Sequence, residues 1–313
     1  MVIPTCSFMS TGTHQEAKKI ETTMFRVENA KEVVLENLVI IQGDGDFRSW
    51  DTIRIEGADR VTVRNVYLAG STQSYHLRLE GVKDIFIDNV EVAGVDYSKD
   101  GQYTCGGGIW INHGTNSGTA GIQHEFEGKM VGTGIFTPYA RHPGWMVIQN
   151  SYFHDHSKEM PKYKNHDAIL IMSHGDMAVF NNVFERWYQP PGDSAIDISY
   201  RRKEPEHQNK FARVERNIIR NATFYKHPGS SRVNGIMFAN NLFINTAMAD
   251  YHGGENNDVT YLHNTHIFDM TLVPPQLRDH SGAARSVTTM ANLWAFQVKP
   301  ISGTPCFMPL KRR

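Results

Sequence analysis

The sequence predicts an all-β protein, a right-handed parallel β-helix, and two observations carry that prediction. A short apolar run that ends in Asn recurs eight times along the 313 residues, and five of the seven intervals between these Asn residues lie between 23 and 32 residues. Glycine, aromatic and β-branched residues are frequent, and long helix-forming stretches do not occur. A fixed period of this length is typical of a solenoid, whereas a β-sandwich has no constant period.

The recurring Asn residues are interpreted as the turns of the solenoid. Asn tolerates left-handed backbone torsions better than other residues that carry a β-carbon. In stacked coils the Asn amides can also hydrogen-bond to one another, which satisfies buried polar groups. The eight runs end at Asn37, Asn65, Asn89, Asn150, Asn182, Asn217, Asn241 and Asn264.

A second set of predicted strands precedes the Asn runs. In these strands apolar residues alternate with variable ones, which is the period of two expected when one face of a strand is buried. They read TIRIE (52–56), HLRLE (76–80), GIWIN (108–112), AILIM (168–172) and AIDIS (195–199). Three short strands per coil and about eight or more coils would place the whole chain in one domain.

Insertions and ends complete the predicted organisation. The period is interrupted at 114–144, 154–165 and 200–210, and solenoids commonly carry such insertions around the face that binds a ligand. Residues 1–20 and 275–313 do not fit the repeat. They are expected to cap the two ends of the core and to cover its edge strands.

Charge and hydropathy argue against two classes of function. Lys and Arg number 32 and Asp and Glu 33, so the net charge is −1, whereas a dedicated nucleic-acid binder is strongly basic. Mean hydropathy is −0.43, and no apolar stretch reaches the length of a membrane span. The three cysteines are far apart and form neither a zinc pattern nor a disulfide framework. No secretory signal pattern opens the chain.

Four segments of the second half carry a family resemblance. DSAIDIS (193–199) and HDAILI (166–171) are similar to an Asp-containing strand signature, and HPGSSRVNGIMFANNLF (227–243) to an Arg-X-Pro-X-X-Arg stretch. HGGENNDV (252–259) is similar to the Gly-Gly coil that follows. Together, over roughly 146–268, these segments resemble the pectate lyases of the pectin-lyase-like β-helix superfamily. The resemblance implies a secreted or cell-surface enzyme that acts on a polysaccharide or oligosaccharide.

The resemblance is incomplete at two places. Arg232 falls on the family's second Arg, but the family's catalytic Arg falls at about His227. MVIQN takes the place of a Trp-Ile-Asp-His strand, so Gln149 stands where an acidic calcium ligand would lie. The sequence therefore favours a relative that acts on another acidic polysaccharide over a calcium-dependent pectate lyase.

The predicted catalytic residues follow from what a polysaccharide lyase needs. The enzyme must neutralise the uronate carboxylate, and a base must remove the proton alpha to that carboxylate. Lys226, His227 and His252 offer bases and acids, and Arg232 can hold a carboxylate with two hydrogen bonds. We therefore predict that these four residues are catalytic, with His154, His166 and His174 as the alternative centre.

The predicted substrate-binding residues are aromatic, cationic or histidine side chains near the same coils. Exposed Trp110, Trp187 and Tyr188 are expected to stack on sugar rings, although Trp187 and Tyr188 could equally cover the edge of a loop. The full set is Arg201, Arg202, Trp110, Trp187, Tyr188, Tyr251, His166 and His174.

Three aspartates form a candidate calcium site. Asp193 and Asp197 lie four residues apart in one strand, and Asp167 lies one coil earlier, so the three carboxylates are predicted to share a face. Calcium prefers such oxygen ligands. The alternative is a solvated acidic ladder, or ion pairs with Arg201 and Arg202.

Two further classes of function stay open. A glycoside hydrolase on the same fold would draw paired carboxylates from Asp167, Asp176, Asp193 and Asp197, but the Asn-Thr-Asp, Asp-Asp and Gly-His-Gly motifs typical of that family do not occur. A non-catalytic carbohydrate-binding or structural β-helix, such as a phage tail-fibre segment or a surface protein, would expose apolar stripes between chains of a trimer. The 21% of charged residues and the long insertions favour the enzyme.

Overall fold

A computed structural model of the chain describes residues 2–3, 7–9, 23–42, 51–70, 72, 74–94, 107–112, 123–126, 129–132, 141, 144–156, 167–172, 175–187, 194–199, 212–222, 225–226, 233–246, 249–250, 256–269, 278–279 and 287–297. Throughout these ranges the regular structure is β-strand, with no helix. None of the described segments therefore forms a helix that could cross a membrane.

The strands are short, and most are separated by a single bend or a loop. The first half contains β1 (Val2–Ile3), β2 (Ser7–Met9), β3 (Phe25–Glu28), β4 (Glu32–Gln42), β5 (Ile53–Glu56), β6 (Arg60–Gly70), β7 (Tyr75–Glu80), β8 (Asp84–Ala93), β9 (Gly107–Asn112), β10 (Gln123–Phe126), β11 (Lys129–Gly132), β12 (Trp145–Gln149) and β13 (Tyr152–His156). The second half contains β14 (Ile169–Met172), β15 (Asp176–Phe180), β16 (Val183–Trp187), β17 (Ile196–Ser199), β18 (Ala212–Glu215), β19 (Ile218–Arg220), β20 (Tyr225–Lys226), β21 (Val233–Ala239), β22 (Leu242–Ile244), β23 (Ala249–Asp250), β24 (Asn256–Leu262), β25 (Thr265–Asp269), β26 (Arg278–Asp279), β27 (Val287–Met290) and β28 (Leu293–Gln297).

Two long parallel sheets contain nearly all of these strands. A seven-stranded sheet runs in the order β20-β17-β14-β9-β7-β5-β3, and a 17-stranded sheet holds most of the others. The pair β10–β11 forms an antiparallel hairpin apart from both sheets. The prediction of an all-β chain built from stacked parallel strands is confirmed.

The repeating unit has one strand in the seven-stranded sheet and two in the larger sheet. Strand β14 pairs with β17, β15 with β18, and β16 with β19, so all three segments of one repeat stack on those of the next. The same in-register stacking continues through β20 to β22. Residues with the same position in successive repeats therefore become neighbours, although they lie more than twenty residues apart in the chain.

The bend between the two strands of the larger sheet differs between the halves of the chain. In the first half the residue with positive φ is the predicted Asn, at Asn37, Asn65, Asn89 and Asn150, and these side chains are exposed. In the second half the positive φ belongs to the preceding residue, at Asn181, Arg216, Asn240 and His263. The prediction that Asn182, Asn217, Asn241 and Asn264 are turn residues is therefore wrong, because these four point inward and are buried.

The inward Asn residues form a continuous hydrogen-bonded ladder. The backbone N–H and the Nδ2 of Asn182 both donate to Oδ1 of Asn217, at 3.0 and 3.1 Å. The other Nδ2 hydrogen of Asn182 is donated to the carbonyl of Ile148 in the previous repeat, at 3.0 Å. In the same way, the backbone N–H and Nδ2 of Asn217 donate to Oδ1 of Asn241, and those of Asn241 donate to Oδ1 of Asn264. Burial of these amides is therefore compensated by hydrogen bonds on both sides of each side chain.

The ladder begins at Ser151. At the same inward position the first repeats carry apolar residues, including Val90, and need no polar partner. The Oγ of Ser151 accepts the backbone N–H of Val90 at 3.1 Å, and the backbone N–H of Ser151 donates to Oδ1 of Asn182 at 3.0 Å. Ser151 thus joins the apolar part of this inward column to the polar part.

The repeat extends further towards the C-terminus than the sequence predicts. Strands β27 and β28 pair in register with β24 and β25, and Asn292 accepts both hydrogen bonds from Asn264. At the other end, β1 and β2 add to β4 in parallel. The predicted capping role of the remainder of 1–20 and 275–313 stays a prediction, since those residues lie outside the described part.

Candidate functional site

The outer face of the seven-stranded sheet brings several sequence-predicted residues to equivalent positions. One outward position is occupied in successive strands by Arg26, Arg54, Arg78, Trp110, Leu170, Asp197 and Lys226. We call these residues the outer row. Neighbouring parallel strands lie about 4.8 Å apart, so these positions form a line across the sheet.

A second row lies two residues further along the first three strands. It contains Glu28, Glu56 and Glu80, which pair with one another in register. The sequence signal is a repeated apolar-Arg-apolar-Glu pattern, FRVE, IRIE and LRLE, in three successive strands. IRIE and LRLE predict the strands, but the pairing of their charged residues was not predicted.

Ion pairs connect the two rows within and between strands. Nε of Arg54 lies 2.5 Å from Oε1 of Glu56, and Nη2 of Arg54 donates to Oε2 of Glu80 at 3.2 Å. Nε of Arg78 donates to Oε1 of Glu80. Nη1 of Arg78 lies 3.5 Å from Oδ2 of Asp51. We call Asp51, Arg54, Glu56, Arg78 and Glu80 the Arg–carboxylate network.

The network is buried, which changes its electrostatics. Asp51 and Glu80 have no exposed surface, and Arg78 is almost fully covered. Burial raises the pKa of Asp51, and the Arg78 and Arg54 guanidinium groups only partly oppose this rise. Burial likewise raises the pKa of Glu80 against the opposing effect of Arg78 and Arg54.

Aromatic side chains border the network. The guanidinium of Arg78 lies 4.0 Å from the centre of the Trp110 ring, in a cation–π contact. Tyr75 packs against Trp110 with ring centres 5.4 Å apart, and Leu170 completes a small apolar cluster. This cluster is separate from the main core.

The predicted exposure of two tryptophans is wrong. Trp110 is only 6% exposed, because Arg78 and Tyr75 pack on it. Trp187 is 0% exposed and lies in the main core, where its ring stacks on His156 with centres 4.7 Å apart. Arg186 has positive φ and bends the strand between Glu185 and Trp187. This bend turns the side chain of Trp187 inward, on the same side as Phe184. It therefore has no free face for a sugar ring.

Two predicted site residues, Asp197 and Lys226, are register partners on adjacent strands. Asp197 is fully buried. Asp167 lies at the entrance to β14, where its Oδ1 accepts the backbone N–H of Ser194 at 2.7 Å and the Ser194 hydroxyl at 3.0 Å. Asp51 makes the equivalent, longer contact to the backbone N–H of Tyr75, at 3.4 Å. Asp167 thus joins two successive repeats.

The other predicted site residues lie outside the described part of the chain. They are His166, His174, Tyr188, Asp193, Arg201, Arg202, His227, Arg232, Tyr251 and His252, together with the side chain of Lys226.

The calcium prediction can be compared with the described carboxylates. Calcium takes six to eight oxygen ligands. Asp167 and Asp197 are described, and one oxygen of Asp167 already accepts two hydrogen bonds from Ser194. Within the described ranges no three His, Cys, Asp or Glu side chains are grouped so as to hold a metal ion. Asp193, the third predicted ligand, is not among the described residues, so calcium binding stays a prediction.

His154, named above as an alternative centre, belongs to a polar cluster on the larger sheet. Its Nδ1 lies 2.8 Å from Oδ2 of Asp155, and its Nε2 lies 3.1 Å from Oε1 of Glu91. Asp155 also pairs with Arg186 at 2.5 Å, and this hydrogen bond is the main reason for the lowered pKa of Asp155. Both ring nitrogens of His154 therefore contact carboxylates, and its role as an alternative centre stays a prediction.

Comparison with known proteins adds no relative: no family model, no curated protein and no solved structure matches this chain.

Proposed function

We propose that the chain closes into a right-handed parallel β-helix and that it cleaves an acidic polysaccharide by β-elimination. The in-register stacking of three strand segments per repeat supports the closed helix, since such repeats bury a continuous core only when they wind around it. The outer face of the seven-stranded sheet is the proposed substrate face.

The observation that carries the proposal is the pairing of Asp197 with Lys226 at one end of the outer row. A carboxylate one strand away, about 4.8 Å along the sheet, is close enough to orient a lysine ammonium group. Asp197 is buried, so its assigned role is to position Lys226 and not to touch the sugar. The candidate base is Lys226, in β20 at the end of the seven-stranded sheet, or the next residue in the chain, His227.

The proposed reaction assigns each predicted residue a task. Arg232 holds the uronate carboxylate and stabilises the negative charge that develops on it. Lys226 or His227 removes the proton alpha to that carboxylate, the electron pair forms a carbon–carbon double bond, and the glycosidic C–O bond breaks. His252 protonates the departing oxygen. A calcium ion held by Asp167, Asp193 and Asp197 would supply additional charge neutralisation when bound.

The test is an absorbance assay for the unsaturated product on a panel of uronate polymers. On any polymer that the parent cleaves, we expect Lys226→Ala and His227→Ala to lower turnover by about 10²-fold or more, because general acid–base groups typically contribute that much. Lys31→Ala, which removes an exposed lysine in the first half of the chain, is the control and should retain parental activity. Repeating the assay with chelator and with added calcium tests the ion separately.

Two results would contradict the proposal. The first is full activity in both variants, which would place the catalytic centre elsewhere. The second is no cleavage of any uronate polymer by a parent protein whose fold is verified by circular dichroism, which would argue against lyase activity.

A non-catalytic, trimeric β-helix is the second candidate, and one observation favours it. An outward row of the larger sheet carries Val183, Ile218 and Leu242 at adjacent equivalent positions, followed by Thr265 and then Leu293. Ile218 is 37% exposed and Leu293 is 52% exposed. Contiguous exposed apolar side chains commonly mark contacts between chains.

The oligomeric state distinguishes this second candidate. If the apolar row joins subunits, light scattering should give the mass of a trimer, and Ile218→Lys should shift it towards the monomer because a charge would be buried in the contact. Arg213→Lys, on an exposed position of the neighbouring strand, is the control. A monomeric parent protein would contradict the trimer.

A further inference from the structure

The Arg–carboxylate network contains more acidic than basic groups. Its three carboxyl groups, from Asp51, Glu56 and Glu80, face two guanidinium groups, from Arg54 and Arg78. At the exposed edge Arg26 and Glu28 add one charge of each sign, 2.6 Å apart, and Arg26 also approaches Glu56 at 3.2 Å. Among the described residues the excess is therefore one carboxyl group.

A nearby histidine does not compensate for this excess. His76 is fully buried, and burial lowers its pKa to about 4, although the backbone of Gly70 opposes the change. Its Nδ1 lies 3.1 Å from the Thr52 hydroxyl, which Gln42 also contacts at 2.7 Å. At neutral pH this imidazole is uncharged and adds no positive charge to the region.

The geometry distinguishes the three carboxyl groups. Glu80 accepts hydrogen bonds from both guanidinium groups, and Glu56 lies 2.5 Å from Nε of Arg54 and 3.2 Å from Nη2 of Arg26, so each has a close cationic partner. Asp51 differs in distance: among the described residues its closest approach to a cation is the 3.5 Å contact between Oδ2 and Nη1 of Arg78. Oδ2 of Asp51, like Oε1 of Glu56, makes no hydrogen bond. A buried carboxyl oxygen in this position is better accommodated with a proton on it.

We propose that Asp51 keeps its proton at neutral pH and that this proton makes the network a pH-sensitive element under the outer row. A neutral Asp51 leaves the Arg78 guanidinium bound to Glu80 and stacked on Trp110. When Asp51 ionises, its carboxylate competes for Arg78, which also lies against Trp110. The protonation of one buried carboxyl group is thereby linked to the environment of an aromatic ring on the outer face.

The direction of the stability change follows from linkage. The pKa of Asp51 is raised by folding, mainly because burial disfavours the charged form. The folded state therefore binds this proton more tightly than the unfolded state, and the stabilising contribution is present at low pH and is lost as the pH rises through the folded pKa. Alkaline conditions should loosen this part of the sheet.

Infrared spectroscopy and thermal denaturation of the full chain test the proposal. At neutral pH the parent should show the carbonyl band of a protonated carboxyl group, and Asp51→Asn should lose it. The melting temperature and the tryptophan fluorescence of the parent should change between pH ~5 and ~9, and both changes should be smaller in Asp51→Asn, because Asn resembles a permanently neutral Asp. Trp110→Phe should remove the fluorescence change alone.

Two comparison variants make the outcome decisive. Glu80→Gln should retain the protonated-carboxyl band, and Asp59→Asn, which removes a half-exposed carboxylate paired with Arg141 at 2.8 Å, should retain both the band and the pH dependence. A band that persists in Asp51→Asn, a band lost in Glu80→Gln, or no band in the parent would each overturn the assignment to Asp51.

Discussion

Replacing Glu80 with Ala should destabilise the protein by about 3–5 kcal/mol, the cost typical of breaking a buried ion pair by removing one partner. Glu80 accepts hydrogen bonds from Arg78 and from Arg54, and its side chain is fully buried. Without it, the Arg78 guanidinium remains away from water, and Asp51, at 3.5 Å, is the nearest remaining carboxyl group among the described residues. Chemical denaturation measured by circular dichroism gives the change in the free energy of unfolding.

An exposed pair of the same chemistry is the matched control. Arg64 donates to Glu36 at 2.5 and 3.1 Å on the outer side of the larger sheet, where both side chains reach solvent. Glu36→Ala should therefore cost less than about 1 kcal/mol. Equal effects in Glu80→Ala and Glu36→Ala would show that burial does not govern the strength of these ion pairs.

Asp51 and Glu80 should also be coupled. In Glu80→Ala, Arg78 still faces Asp51, which can ionise and compensate part of the lost charge. Adding Asp51→Asn removes that compensation, so the double variant should be less stable than the sum of the two single changes predicts. A strictly additive result would argue against a shared network.

Replacing Asn217 with Leu should cost roughly 1–3 kcal/mol for each hydrogen-bond donor that it leaves buried without an acceptor. Oδ1 of Asn217 accepts both the backbone N–H and the Nδ2 of Asn182, and Leu offers no acceptor in its place. The carbonyl of Val179 also loses the hydrogen bond from Nδ2 of Asn217. The midpoint of chemical denaturation should fall accordingly.

Asn65 is the natural control for Asn217. Its side chain is exposed, it has φ 54°, and its amide donates to Asn37 at 3.1 Å. Asn65→Gly should change stability by less than about 1 kcal/mol, because Gly adopts positive φ freely. The double variant Asn182→Val/Asn217→Val should lower the free energy of unfolding by less than the sum of the two single changes. Each single change leaves a buried polar group of the other Asn without its partner, and the second change removes that group. Equal destabilisation by Asn65→Gly and Asn217→Leu would contradict an inward ladder.

The sequence alone determined the stacking of parallel strands. The interval between Asn runs and the alternation in strands such as IRIE are local patterns, and both survive in the structure as in-register pairs such as Ile53 with Leu77. The inward residues of these strands could also be predicted from the sequence, because alternate side chains of a strand point to opposite faces. Fold class was therefore accessible without tertiary information.

The sequence does not show which of two adjacent residues forms a bend. At Asn181 and Asn182 the sequence offers two Asn residues, and only the stacking on Ser151 and Asn217 decides that Asn182 points inward. The positive φ then falls on Asn181, and at the equivalent bend of the next repeat it falls on Arg216, which no propensity would select. Hydrogen bonds between repeats outweigh the local preference of single residues at these bends.

The burial of outward side chains also depended on the tertiary structure. Alternation correctly places Arg78, Trp110 and Asp197 on the outer side of the seven-stranded sheet, yet all three are buried there. Whether an outward residue meets solvent depends on residues distant in the chain that pack over it, and a strand's own pattern carries no information about them. The sequence therefore determined the core and the stacking, whereas tertiary packing decided which outward charges became a buried network.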